Sequence, residues 1–273
     1  MKKINSFATD HPVTFGVIVT FVYILMLIVS NILGNLGPGE NIYGQPGNIL
    51  GRLVSIAILM VMLLRLGWLR SAGFTSVGSW GIWLASLLSL VYAVSGYAYT
   101  LNGNFDINLS SSVLTILVVL FILTQSIMEE VVFRGLVLGG FVRAWGSTNR
   151  GILKSVLISS LIFCSIHLLD FLSGRPFLAV LLQSLEAFFL GVILAVLMIR
   201  GKSIYPAFFF HCILNLGAYL SFSYKGLEPS PASWLSLSLV MLLPALFGIY
   251  LLRGLPPQSS PTGISVRKNV PDL

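Results

Sequence analysis

The stretch FLAVLLQSLEAFFLGVILAVLMI, residues 177–199, decides the class of fold, because this long run contains a single charged residue, Glu186. A transmembrane helix needs about 20 predominantly apolar residues to cross about 30 Å of hydrocarbon. The run reaches that length. We therefore predict that it spans a membrane as an α-helix.

The composition of the whole chain agrees with a membrane protein. Of its 273 residues, 56% are hydrophobic and 9% are charged, whereas soluble domains carry about 25% charged residues. The mean hydropathy of +0.93 likewise excludes a water-soluble globule of this length. The two cysteines, Cys164 and Cys212, lie in apolar runs without CxxC spacing. We therefore predict reduced thiols that pack as small apolar groups, with no disulfide framework.

Seven other apolar runs have lengths close to that of residues 177–199. Together they predict eight transmembrane helices, at residues 13–33, 49–68, 80–100, 111–128 with an apolar extension to 142, 153–172, 177–199, 203–222 and 234–252. The fourth run with its extension is too long for one straight span, and we expect it to break or tilt at Gly135, Gly139 and Gly140. The predicted fold is an all-α polytopic membrane bundle with its polar site in the bundle core.

These runs divide the chain into four segments. Residues 1–110 contain the first three helices, residues 111–223 contain the next four with the catalytic core, and residues 224–252 contain the last helix. Residues 253–273 are rich in Pro and Ser, which predicts a disordered cytoplasmic tail.

Basic residues predict the orientation of the bundle. The 16 Lys and Arg exceed the 9 Asp and Glu and give a formal net charge of +7. With the N-terminus in the cytoplasm, the opposite side carries only Arg175 and Lys225, while Arg52 and Arg134 lie in or beside spans. The cytoplasmic side then carries twelve basic residues: Lys2, Lys3, Arg65, Arg70, Arg143, Arg150, Lys154, Arg200, Lys202, Arg253, Arg267 and Lys268. This distribution predicts an integral multi-pass protein of the cell membrane or an endomembrane, with both termini in the cytoplasm and no nucleic-acid partner.

Polar and ionisable side chains inside the spans are few and clustered. Such groups are costly in hydrocarbon, so each indicates a functional site unless a structural partner explains it. Glu186, with Gln183 nearby, is open to two interpretations, a hydrogen bond between helices or a secondary role in the site. The groups that indicate a site fall in three runs. Glu129, Glu130 and Arg134 lie in the fourth run, His167 lies in the fifth one turn after Phe163, and His211 and Asn215 lie in the seventh.

Helical spacing assigns roles within these runs. Residues four apart share a helix face, so Glu130 and Arg134 can form an ion pair that either fixes the helix or contacts substrate. Glu129 is turned about 100° from Glu130 and can point into a cavity without neutralisation by Arg134. We therefore predict that Glu129 is the catalytic base. His211 and Asn215 are also four apart and would present an imidazole and an amide to one atom, which suits an oxyanion or substrate clamp.

The three runs place their polar groups at similar depths. Counted from the cytoplasmic basic residue of each helix, His211 lies about 14 Å, His167 about 20 Å and Glu129 about 21 Å into the membrane, at a rise of about 1.5 Å per residue. Polar groups from three helices at one depth predict a shared, water-filled cavity in the bundle.

Peptide hydrolysis is the reaction that these groups suit. A carboxylate beside an imidazole can deprotonate water for attack on an amide carbonyl. The chain has no HExxH zinc motif, no GxSxG nucleophile elbow and no pair of aspartates within its spans. It also lacks a DDxxD-like cluster, which argues against magnesium-dependent prenyl transfer.

The three patterns, in this order, resemble the CPBP family of CAAX proteases and bacteriocin-processing enzymes, also called Abi proteins or type II CAAX prenyl endopeptidases. The patterns are EExxxR, FxxxH and HxxxN, and the resemblance covers about residues 110–220. It implies an eight-helix intramembrane endopeptidase in which Glu129 and His167 activate water and His211 and Asn215 stabilise the oxyanion. Glu130 and Arg134 would support the site. The implied substrate is a peptide or membrane protein in the lipid bilayer, such as a prenylated CAAX tail or a bacteriocin leader.

Metal dependence and activity each have alternatives. The glutamate-water reaction needs no cofactor, and we favour it. However, His167, His211 and Glu129 could hold Zn²⁺, because two His and one carboxylate form a known catalytic zinc site. A non-catalytic membrane scaffold or immunity protein would use the same polar cavity to bind a partner. A small proton-coupled transporter would use the buried carboxylates as a relay, although the chain has no evident inverted repeat.

Overall fold

The computed structural model describes residues 2–36, 45–91, 112–219 and 230–253. Within these ranges every main element is a helix, which confirms the all-α class. Residues 254–273 of the predicted tail lie outside the described residues, as do residues 92–100 and 220–222 of two predicted spans. In chain order the helices are α1 (Lys2–Asp10), α2 (Pro12–Asn35), α3 (Pro46–Leu66), α4 (Trp80–Ser86), α5 (Ser112–Glu129), a π-helix (Glu130–Leu138), α6 (Gly139–Trp145), α7 (Asn149–Ser165), a 3₁₀-helix (Ile166–Ser173), α8 (Phe177–Gly201), α9 (Tyr205–Ala218) and α10 (Pro231–Leu252).

Six helical segments of the described ranges are long and apolar enough to cross a membrane, which confirms a multi-pass protein. Two of the eight predicted spans are not among them. The run at 80–100 is described only over the short apolar segment Trp80–Val91. The run at 203–222 is described up to residue 219, and its helix, α9, has 14 residues. The six are Pro12–Asn35, Pro46–Leu66, Thr115–Trp145, Asn149–Ser173, Phe177–Gly201 and Pro231–Leu252.

Proline and glycine set the ends of several of these helices. Pro12, Pro46 and Pro231 lie in the first turn of α2, α3 and α10, where the missing N–H costs no helical hydrogen bond. Helix α3 ends at Gly67, whose φ of +70° glycine adopts without strain. These residues mark where α2, α3 and α10 begin and where α3 ends.

The fourth predicted run is one continuous helical segment, Thr115–Trp145. Of the expected break or tilt at the three glycines, the break does not occur. Instead the helix changes from α to π at Glu130 and returns to α at Gly139. The run therefore changes helix type and stays continuous.

The glycines of this run serve close packing. A Cβ on Gly135 would lie 3.3 Å from the side chain of Leu63 on α3, and one on Gly140 would lie 3.2 Å from Phe15 on α2. Both distances are short for carbon atoms, so the missing side chains allow α2 and α3 to approach the fourth run closely.

The π-helix lies inside the bundle. Helix α8 packs against α7, α9, α10 and the π-helix, while α2 packs against α3 and the π-helix. Every residue of the π-helix is buried. The outer faces of the spanning helices expose large apolar side chains such as Phe21 and Leu243, as expected for surfaces in contact with hydrocarbon. The polar residues of the fourth run are therefore enclosed by protein.

The short helix α1 precedes the first span and has no counterpart in the predictions from sequence. The side chain of its Asn5 accepts a hydrogen bond from Nε1 of Trp68 at 2.8 Å and donates to the carbonyl of Leu66 at 3.4 Å. These bonds attach α1 to the end of α3.

We expect Gly51→Ala to destabilise the bundle, because a Cβ at this position would lie 2.8 Å from Cα of Ser30 on α2. A backbone atom cannot move aside as a flexible side chain can, so α2 and α3 must separate, at a cost of about 1–3 kcal/mol. Gly81→Ala is the matched control, since nothing lies within 4 Å of a Cβ there. Thermal unfolding in detergent measures both, and equal stability of the two variants would contradict the close contact of α2 with α3.

Candidate active site

The two adjacent glutamates lie where the helix changes form. Glu129 is the last residue of α5, and Glu130 is the first residue of the π-helix. Both are buried, with exposed fractions of 6% and 0%. Helical turns of the π type are rare and are found frequently at functional sites. The change of helix type thus coincides with the predicted base and its supporting carboxylate.

The imidazole of His211 lies between the two carboxylates. Its Nδ1 is 2.8 Å from Oε1 of Glu130, and its Nε2 is 3.3 Å from Oε2 of Glu129. A doubly protonated ring donates to both oxygens, whereas a neutral ring donates to one of them. The contact joins α9 to the fourth run and brings two of the three sequence patterns together.

Arg134 lies beside Glu130, as the four-residue spacing predicts. Its Nη1 is 3.3 Å from Oε1 of Glu130, and both side chains are buried. The guanidinium also lies over the ring of Phe163, with Cζ 4.5 Å from the ring centroid. Among the described residues, Oε2 of Glu130 and both Nη atoms of Arg134 are buried without a hydrogen-bond partner. The pair is therefore matched in charge but incompletely hydrogen-bonded.

The other oxygen of Glu129 is held by residues that the sequence analysis did not assign to the site. Oε1 of Glu129 accepts a hydrogen bond from the Tyr23 hydroxyl at 2.9 Å and another from Nε2 of Gln125. The same Nε2 donates to the Tyr23 hydroxyl at 3.1 Å, and Oε1 of Gln125 accepts from Nε of Arg52 at 2.8 Å. Tyr23 comes from α2, Arg52 from α3 and Gln125 from α5.

Two of these three residues carry a signal in the sequence. Arg52 is an ionisable group inside a predicted span, which is the criterion that singled out Glu129. Gln125 lies four residues before Glu129 and shares its helix face. Tyr23 is one aromatic residue among many in the spans, and no pattern in the sequence distinguishes it.

His167 lies in the 3₁₀-helix at the edge of the cluster and is half-buried. Its ring contacts Phe163 edge-on with centroids 5.8 Å apart, and His211 contacts the same ring at 5.9 Å. Nδ1 of His167 is 3.4 Å from Nε2 of Gln183, whose Oε1 accepts a hydrogen bond from Arg175 at 2.5 Å. Gln183 thus ties the imidazole to α8.

Asn215 lies one turn after His211 on α9 and is half-buried. Its Nδ2 donates to the Ser126 hydroxyl at 3.1 Å. Ser126 precedes Glu129 by one turn of α5, so the amide reaches the helix that carries the predicted base.

Of the six predicted site residues, the two glutamates, the arginine and His211 are in direct contact. The other two are not in direct contact with these four. His167 shares the Phe163 ring with His211, and Asn215 donates to Ser126 on the helix that carries Glu129. A buried carboxylate of fixed orientation beside an imidazole can take a proton from water, so the arrangement suits hydrolysis.

The residues predicted as zinc ligands do not form a ligand set in this arrangement. Nε2 of His211 and Oε2 of Glu129 are close. In the described ranges, however, no group of three or more His, Cys, Asp or Glu could hold a metal ion. A catalytic zinc site has three protein ligands, and His167 does not complete such a set.

We expect Arg134→Met to destabilise the bundle by about 3–5 kcal/mol, because it leaves the buried Glu130 carboxylate without this partner cation. Arg134→Lys keeps the positive charge and loses the planar contact with Phe163, so it should cost less. Unfolding of both variants in one detergent compares them. Equal losses would mean that Glu130 does not depend on the charge of Arg134.

A comparison with known proteins finds a family model that matches the part of the chain with the three sequence patterns. Residues 111–217 match the family model described as Type II CAAX prenyl endopeptidase Rce1-like, and this segment contains all six predicted site residues. Among the curated proteins and the solved structures compared with the chain, none matches it. Tyr23 and Arg52 lie outside the matched segment. The match confirms the predicted resemblance to the CAAX protease family over the part of the chain that carries the three patterns.

Proposed function

We propose that this protein is an intramembrane endopeptidase of the CAAX type that hydrolyses a peptide bond in or near the membrane, with Glu129 as general base. The observation that carries the proposal is the environment of the Glu129 carboxylate. One oxygen accepts two hydrogen bonds, and the other faces His211 at 3.3 Å. The family match over residues 111–217 supports a prenylated CAAX tail as the substrate class.

The proposed reaction consumes only water and the peptide. Oε2 of Glu129 takes a proton from water while the water oxygen forms a bond to the carbonyl carbon of the scissile peptide. The π electron pair of the carbonyl moves to its oxygen and gives an oxyanion. When this intermediate collapses, the C–N bond breaks and Glu129 returns the proton to the leaving nitrogen. The base is thereby regenerated as a carboxylate.

His167 is proposed to orient the attacking water together with Glu129. Its half-buried imidazole lies on the same Phe163 ring as His211, beside the acidic pair. Its contact with Gln183 on α8 would limit rotation of the ring. A positioned acceptor or donor of this kind fixes the direction from which water attacks.

His211 and Asn215 are proposed to stabilise the oxyanion. The contact between His211 and Glu129, at 3.3 Å, is longer than the 2.8 Å contact with Glu130. When Glu129 accepts the proton, its negative charge is lost while negative charge develops on the substrate oxygen. Nε2 of His211 can then donate to that oxygen while Glu130 retains the ring. The half-buried Asn215 amide would supply a second donor.

We infer that both termini lie in the cytoplasm. Counted over the eight predicted spans, the twelve-to-two distribution of basic residues supports this orientation, which requires that the runs at 80–100 and 203–222 also cross the membrane.

We expect cells that carry Glu129→Gln in place of the wild-type chain to lose a set of cleaved protein termini. An amide cannot take a proton from water, and general base catalysis contributes about 10²–10⁴-fold, so cleavage should fall at least about 100-fold. Proteome-wide comparison of termini measures the loss and needs no candidate substrate. If the C-termini that are lost in the variant lie at prenylated cysteines, the substrates belong to the CAAX class.

Asp10→Asn is the control for this experiment. It makes the same change from carboxylate to amide at an exposed residue at the end of α1, and the termini should stay as in wild type. Unchanged termini in a folded Glu129→Gln variant would reject the endopeptidase. Complementation of the deletion phenotype by that variant would favour a scaffold, and proton-coupled uptake into vesicles would favour a transporter.

We expect the purified protein to cleave without bound metal, because a carboxylate base activates water with no Lewis acid. Elemental analysis should find metal well below one ion per chain, and a chelator should leave the cleavage rate unchanged. If the protein contains one zinc ion per chain and loses activity when the zinc is removed, the metal-free reaction is wrong. His167, His211 and Glu129 would then be the zinc ligands.

A further inference from the structure

We propose that Tyr23, Gln125 and Arg52 form a positioning relay that fixes Oε1 of Glu129 and leaves Oε2 as the oxygen that takes the proton from water. The inference rests on the proposed function, in which Glu129 is the base. It extends the catalytic unit to the first two spanning helices, beyond residues 111–217, the segment that matches the family model.

The relay begins at Arg52, which sets the orientation of the Gln125 amide. Nε of Arg52 donates to Oε1 of Gln125 at 2.8 Å. A guanidinium has donors and no acceptor, so it can bond only the oxygen of that amide. The amide NH₂ of Gln125 is therefore turned the other way, toward Tyr23 and Glu129.

The Tyr23 hydroxyl is fixed in direction by the same argument. It accepts from Nε2 of Gln125 at 3.1 Å, so its single hydrogen is free for Oε1 of Glu129 at 2.9 Å. Each donor in the series from Arg52 to Glu129 points toward the carboxylate. Aligned hydrogen bonds in a medium of low dielectric strengthen one another.

The relay makes the two oxygens of Glu129 unequal. Oε1 receives two donors, from Tyr23 and Gln125. Oε2 faces His211 at the longer distance of 3.3 Å and keeps lone pairs for a water proton. A base held by two bonds through one oxygen presents the other oxygen in a single direction, which proton transfer requires.

Ring contacts hold the relay in place. Tyr23 is fully buried and contacts Phe133 of the π-helix edge-on, with centroids 5.3 Å apart. The guanidinium of Arg52 lies 4.1 Å from the centroid of the Phe121 ring on α5. The relay residues of α2 and α3 are thus both packed on the fourth run, the element that carries the base.

The test uses the full-length protein in lipid nanodiscs and an internally quenched peptide that ends in a farnesylated CAAX sequence. Tyr23→Phe removes the hydroxyl and keeps the ring contact with Phe133. We expect kcat to fall about 10–100-fold, since a small misplacement of a catalytic group can cost about 100-fold, with KM changed less than about twofold. Tyr205→Phe is the matched control, because it removes a hydroxyl that donates to the carbonyl of Phe74 at 3.0 Å, away from the relay.

A second pair of variants tests the relay without a change at Tyr23. Arg52→Met replaces the apolar stem of the arginine with a flexible apolar side chain and removes the group that donates to Gln125, so kcat should fall. Arg52→Lys restores a donor and should recover most of the loss. A network that only holds helices together would lower the amount of folded protein and leave kcat per folded molecule unchanged.

The outcomes separate the relay from the proposed function. The first case is that Glu129→Gln is inactive in this assay. The relay is then overturned if Tyr23→Phe has the kcat of the wild-type protein, or if Arg52→Met and Arg52→Lys have the same kcat. Cleavage by Glu129→Gln at the wild-type rate, or no cleavage of the peptide by the wild-type protein, counts against the proposed function and removes the basis of the relay as well. Loss of kcat with KM retained, and recovery in Arg52→Lys, supports the relay.

Discussion

The imidazole of His211 lies between two buried carboxylates, and the helices around the site depend on that contact. A carboxylate removed from water costs several kcal/mol unless a partner compensates it, and the bundle holds two adjacent ones. Glu130 has His211 and Arg134 as partners, while Glu129 has His211 and the donors from Tyr23 and Gln125. α9, α2 and α5 must therefore keep their positions relative to the π-helix for the charges to remain matched.

The same requirement explains why the site draws on the N-terminal half of the chain. The segment that matches the family model, residues 111–217, carries the acids, imidazoles and amide. It does not carry Tyr23 or Arg52, which complete the hydrogen bonds of Glu129 through Gln125. The first two spans thus contribute polar partners as well as apolar surface, and the segment that matches the family model leaves out part of the surroundings of Glu129.

Much of the fold and part of the site follow from the sequence by local rules. Long apolar runs predict spans because the thickness of hydrocarbon sets their length, and the Glu130–Arg134 pair follows from helical spacing. The π-helix and the Tyr23 contact do not follow, because both depend on packing between distant helices. Arg52 satisfied the rule for ionisable groups in spans, but its partner on another helix could be identified only from the structure. The roles of His167 and Asn215 remain predictions, since neither is in direct contact with the other four predicted site residues.

Because of the π-helix, the number of residues between Glu130 and Leu138 matters to the structure as much as the identity of the side chains. One residue corresponds to about 100° of rotation in an α-helix, so a single deletion between Glu130 and Leu138 that restored regular α-helix would turn one end of the span against the other. Either the carboxylates would swing away from His211 or α6 would lose its packing on α1 and α2. Insertions and deletions in this stretch should therefore be tolerated less than substitutions, because the length of the π-helix sets the directions of the side chains on both sides of it.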